Sequence, residues 1–125
     1  MLTAQQQAFV QALEELDLQQ VQRLLTDGLS LNFIDPEKGP VISVWSDGLF
    51  KWWEAICEAY EAGAPLSEQE KQQTLAVHLD ILEQLIHGKA NLHLWDTEEI
   101  YGPLWDAASA ACAPAVKRLL DEKVD

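Results

Sequence analysis

The sequence predicts an all-α protein made of helix pairs joined by tight turns and separated by longer loops, on three observations. Apolar residues recur at three- and four-residue steps along most of the 125 positions, the spacing of one helix face. Glycines and prolines punctuate the chain between those runs. Several passages also resemble one another, each ending in a pair of aliphatic residues. Strand propensity is confined to Val41–Trp45 and short loop stretches. Hydrophobic residues make up 48%, enough to bury a core and to exclude a disordered chain.

The first helix is marked by Phe9, Val10, Leu13 and Leu16, with Thr3 as its N-cap. Leu18, Val21, Leu24 and Leu25 mark a second, which ends at Gly28, a residue suited to a left-handed C-cap. Residues 29–40 contain Pro36, Gly39 and Pro40 and read as a loop, with a turn or short hairpin around Asp35 and Pro36. Residues 41–45 read either as a strand or as one short buried helix, and Ser46-Asp47-Gly48 is expected to break the chain after them. Leu49, Trp52, Trp53, Ile56, Cys57 and Tyr60 then recur at helical spacing as far as Gly63 and Pro65.

Ser67 followed by Glu70 is a capping-box pattern. From there to His87 no glycine or proline intervenes, and Leu75, Leu79, Leu82 and Ile86 form an apolar row. Residues 68–73 are polar all round, so that end should be solvated. A loop follows Gly88. Leu104, Trp105, Ala107, Ala108 and Ala111 mark another helix, and Pro114 opens the last, with Val116, Leu119 and Leu120 on one face.

Residues 17–35, 79–96 and 113–125 align with one another. Their paired aliphatics are Leu24-Leu25, Leu85-Ile86 and Leu119-Leu120. The first two continue into Leu29-Ser30-Leu31-Asn32 and Ala90-Asn91-Leu92-His93, and both reach an aspartate, Asp35 and Asp96. Residues 50–66 fit with more distortion. This pattern resembles the ankyrin repeat, whose second helix ends in a Leu-Leu pair before a tight turn and an Asp-tipped finger. Gly102-Pro103-Leu104-Trp105 is similar to the opening of that family's first helix, and Gly39-Pro40-Val41-Ile42 is so more loosely. The family's histidine is replaced by Ile42 and Trp105. Turn positions fall at Gly28, Gly63, Lys89 and Lys123, against a family period of about 33 residues. The resemblance implies an ankyrin-like solenoid of about four repeats in a single domain over 1–125, at 3–35, 36–66, 67–96 and 97–125. The third is irregular, and one long or kinked helix over 67–87 is the alternative to it.

The chemistry classes are mostly excluded. A net charge of −13 lacks the basic footprint of a nucleic-acid binder and disfavours an anionic membrane. No phosphate-binding glycine pattern, nucleophile elbow or zinc-protease motif is present. His78 and His87 lie on different faces of one helix, and the adjacent pairs Glu14-Glu15 and Glu98-Glu99 cannot flank a substrate. No catalytic residue, metal or cofactor is expected. The N-terminus carries no secretory pattern, and Cys57 and Cys112 read as reduced structural thiols, so a cytoplasmic protein is expected.

The expected function is a non-enzymatic protein-binding module. The resemblance implies that fingers and first helices line a concave face, here carrying Phe33, Ile34, Asp35, Trp95, Asp96, Glu98, Glu99, Tyr101 and Asp106. Acidic groups with aromatic anchors favour a partner protein with a basic surface, for example one neutralised by an immunity-type or inhibitory binder. The alternative is an oligomerising or truncated scaffold fragment, a homodimer formed through an open C-terminal edge with apolar atoms of Ala115, Val116 or Leu119.

Overall fold

The computed structural model describes residues 1–94 and 102–124. Six helices account for most of them: α1 (Ala4–Glu15), α2 (Leu18–Thr26), α3 (Val41–Glu61), α4 (Glu68–His87), α5 (Pro103–Ser109) and α6 (Ala113–Asp121). The only strands among the described residues, β1 (Ile34–Asp35) and β2 (Gly39–Pro40), form a hairpin pairing Ile34 with Pro40 and Asp35 with Gly39. Asp35 builds its turn: Oδ1 accepts the backbone N–H groups of Glu37 and Lys38 at 2.8 and 3.0 Å.

Local chemistry explains the helix ends. The Thr3 hydroxyl accepts the N–H of Gln6, and the Gln6 side chain accepts the N–H of Thr3, closing a reciprocal cap. Asp17 and Ser67 cap α2 and α4 through the N–H groups of Gln20 and Glu70. All six described helices stop in the same way, with a left-handed residue at Leu16, Gly28, Gly63, Lys89, Ala111 and Lys123. In each, the next N–H returns to a carbonyl five residues back, as from Leu29 to Leu24, Ala90 to Leu85 and Val124 to Leu119. The four turn positions read from the repeat are among these six.

Two expectations are corrected. Ser46-Asp47-Gly48 does not break the chain, because α3 runs unbroken through it. Val41 to Ser46 are all buried, and that packing outweighs the roughly 1 kcal/mol that a mid-helix glycine costs. Ser46 caps nothing; its hydroxyl donates to the carbonyl of Ser43 and to Asp106. The division into four units also changes. Residues 36–66 and 67–96 each supply one long helix to a single pair, α3–α4, so the described helices form three pairs. Gly63 therefore ends a first helix, like Leu16 and Ala111, rather than a second helix.

The pairs stack. α1 packs on α3 and α3 on α5, so the first helices lie side by side, and α2 packs on α4 behind them. Arg118 of α6 reaches Glu83 of α4 through two donors and pairs with Glu122 on its own helix. These contacts bury Phe9, Val21, Ile42, Trp45, Leu49, Ile81, Leu82, Leu85 and Leu119 in one core. Gly88 lets the preceding pair approach closely: an added Cβ would stand 2.9 Å from the end of the Leu31 side chain and 3.0 Å from that of Leu25. Beyond Leu49 on α3 and before His78 on α4 no residue is fully buried. Residues 50–77 thus form a helical hairpin that extends past the three-pair base.

Candidate functional site

The most built face lies where the β-hairpin meets the first helices. A cleft of about 370 Å³ opens between α1, the hairpin and α3, and includes Glu14, Glu37, Lys38, Ser43, Asp47 and Lys51 in its wall. A second, broader cleft on the other side of the hairpin is lined by residues including Gln11, Glu14, Glu15, Asp35 and Lys38. The strut between them is the ion pair from Lys38 Nζ to Glu14, 2.6 Å long.

The charges of this face are ordered. Lys38 is held by Glu14 and Lys51 by Asp47 at 3.0 Å, and each hydrogen bond raises the ammonium above its ordinary range. Glu37 and Glu15 carry no ion pair among the described residues. Five carboxylates (Glu14, Glu15, Asp35, Glu37 and Asp47) thus face two ammonium groups. A hydrogen-bonded frame of mixed charge sits inside a face that stays acidic. It offers anchoring points of both signs.

The expected contact residues divide. Ile34 is 54% exposed on the hairpin. Asp35 shapes the turn, and its position at the cleft rim follows from that. Phe33 is half-buried and stands edge-on to Phe9, with ring centroids 6.4 Å apart, so it is a wall of the core. Asp106 lies between α5 and α3, where its carboxylate accepts the Ser46 hydroxyl at 2.8 Å. Burial raises its pKa and nearby Asp47 adds to the rise, while the Ser46 bond opposes it. Asp106 therefore joins two helices. Trp95, Asp96, Glu98, Glu99 and Tyr101 lie outside the described residues.

The residues that sequence reasoning missed are Glu14, Lys38, Asp47 and Lys51. Glu14 reads locally as solvated helix charge, and its partner is 24 residues away, so no local spacing reveals the pair. Asp47 and Lys51, an i,i+4 pair, were detectable once that stretch was taken as helix. Trp105 is 43% exposed and tilts against Phe50 with ring centroids 6.0 Å apart.

Outside this face, His78 is the unusual group. It is buried between α3 and α4, its ring 5.6 Å from that of Trp52, and among the described residues neither ring nitrogen has a hydrogen-bond partner. Burial alone pushes its pKa down to about 4. The Trp45 indole N–H donates to the His78 carbonyl at 2.9 Å, fixing the two helices there. Cys57 and Cys112 are free thiols, and burial raises that of Cys112. Among the described residues no group of three His, Cys, Asp or Glu side chains could hold a metal, and no helix is long and apolar enough to cross a membrane. No protein-family model, curated protein or solved structure matches the chain.

Proposed function

We propose that this chain is a non-enzymatic protein-interaction module, an ankyrin-like stack of three helix pairs whose acidic hairpin face docks a basic partner. The observation that carries the reading is the double cleft around the Lys38–Glu14 strut, with its excess of carboxylates. The ankyrin-like reading rests on the shared helix ends, the side-by-side first helices and the hairpin between pairs. An excess of 13 negative charges over the whole chain would steer a basic partner toward any such face. The partner class includes a basic protein held inactive by the complex. The free thiols fit a cytoplasmic setting.

Glu15 and Glu37 are exposed, and reversing both leaves the ion-paired frame intact. Capture from lysate with the wild type and with Glu15→Lys/Glu37→Lys, at low and high salt, tests the reading. Basic proteins retained at low salt should be released at high salt, and retained about tenfold less by the double variant. Retention that ignores both salt and charge reversal would sink the electrostatic reading.

A further inference from the structure

A second surface stands at the far end of the stack, away from the hairpin. Helix α6 buries Ala115 and Leu119 and turns Arg118 toward α4. The adjoining side carries Val116, half-buried against the core, and Leu120, which is 54% exposed. With Ala108, Ala111 and Ala113 these residues line a shallow apolar depression of about 540 Å³, rimmed by Lys117 and Asp121.

The position of these residues in the repeat shows what such a face does. The shared helix ends make Leu24, Leu85 and Leu119 equivalent, since each carbonyl accepts the same returning N–H. Val116 and Leu120 therefore correspond to Val21 and Leu25 on α2, and to Leu82 and Ile86 on α4. Val21 and Leu82 are fully buried, and Leu25 is pressed against Gly88 of the following pair. In the earlier pairs this helix side is a stacking surface. On α6 the same positions recur, and among the described residues Val116 is half-covered and Leu120 is exposed.

The rest of the surface narrows the occupant. The other end of the stack presents Gln11, Glu15, Asp17, Gln19, Gln22 and Arg23, all exposed and polar. That end acts as a polar cap and cannot cover an apolar face, so copies would not stack head to tail. The α6 face is compatible with itself. Lys117 and Asp121 lie four residues apart with the apolar pair beside them, and neither has an ion pair among the described residues. Across a two-fold axis, antiparallel α6 helices bring the lysine of each copy toward the aspartate of the other. We propose that the outward face of α6, centred on Val116 and Leu120, docks the same face of a second copy of this chain.

Sedimentation of the full chain over a wide concentration range tests this. The expected result is a reversible shift from 14.0 kDa to twice that mass. Added salt should strengthen the dimer, because it screens the repulsion between two strongly negative copies. This is the reverse of the salt response expected for a basic partner, so the two proposals fail independently. Leu120→Glu should weaken dimerisation at least tenfold while leaving the thermal midpoint in place. Lys117→Asp and Asp121→Lys should each weaken it, and the two together should restore it. A chain that stays monomeric at every concentration and salt overturns the proposal. So does open-ended growth, a dimer indifferent to Leu120→Glu, or a double charge swap that restores nothing.

Discussion

The three-pair base and the hairpin arm of residues 50–77 are built from the same two helices, α3 and α4, and differ in almost every physical respect. In the base, α3 is buried at six consecutive positions from Val41 to Ser46, and α4 contributes Ile81, Leu82 and Leu85 to the core. In the arm, Trp52, Trp53, Ile56 and Leu75 are only half-covered, and residues 61–70 are all exposed. The base is held by neighbours on both sides, whereas the arm touches the rest of the molecule near its root, as where Phe50 meets Trp105, and is exposed at its tip. Helical periodicity is equally good in both regions. The difference therefore comes from what lies across from each helix.

The largest effect should follow from breaking the base. Leu82→Ala removes a fully buried side chain of α4 from the core and should lower stability by about 2–5 kcal/mol in urea or thermal unfolding. Tyr60→Ala on the arm, at a residue 74% exposed, should change it by less than about 0.5 kcal/mol. Equal effects at the two sites would erase the distinction.

The junction between base and arm should be sensitive to acid. The pKa of His78 is lowered on folding from 6.5 to about 4, so folding favours its neutral form. That contribution is complete above pH 6.5 and is lost as the pH falls toward 4, amounting to about 3 kcal/mol. Asp106, whose pKa folding raises, gains stability in the same direction of titration. The informative quantity is therefore the difference between the wild type and His78→Leu, measured by unfolding at pH 7 and pH 4. The variant should lose much less stability over that interval. Parallel losses would remove His78 as the cause.

The smallest effects concern two glycines. Gly48 sits inside α3 at the cleft, with nothing within 4 Å of an added Cβ, so Gly48→Ala should stabilise by about 0.5–1 kcal/mol. Gly63, at the tip of the arm with φ near +79°, should lose about 1 kcal/mol on the same substitution. Hydrogen exchange should show Gly63→Ala loosening the arm while the amides of α1 and α2 keep their protection.

Much of the fold was legible because it depends on short-range chemistry. The Thr3, Asp17 and Ser67 caps, the hairpin at Asp35 and the turns at Gly28, Lys89 and Lys123 each involve residues within about five positions of one another. Of the expected contact residues, Ile34 and Asp35 could be placed because the hairpin is local. Phe33 and Asp106 were assigned to an open face, but they meet Phe9 and Ser46, 24 and 60 residues away. The cleft shares that origin: its strut joins the end of one helix to a hairpin that the intervening pair partner α2 keeps apart in sequence.

The sequence by itself determined the starts of α1 and α4 and the ends of α2, α4 and α6, since their caps and left-handed turns are settled by adjacent residues. It also determined the negative charge and the order of the paired aliphatics. Tertiary structure alone decided that Ser46-Asp47-Gly48 is helix interior, because burial on both sides of α3 supplies more free energy than a weak local break removes. It likewise decided that Gly63 closes a first helix, and that Leu120 is exposed where its equivalent Leu25 is pressed against the following pair. Those outcomes depend on which surfaces meet, and adjacency in the chain carries no record of that.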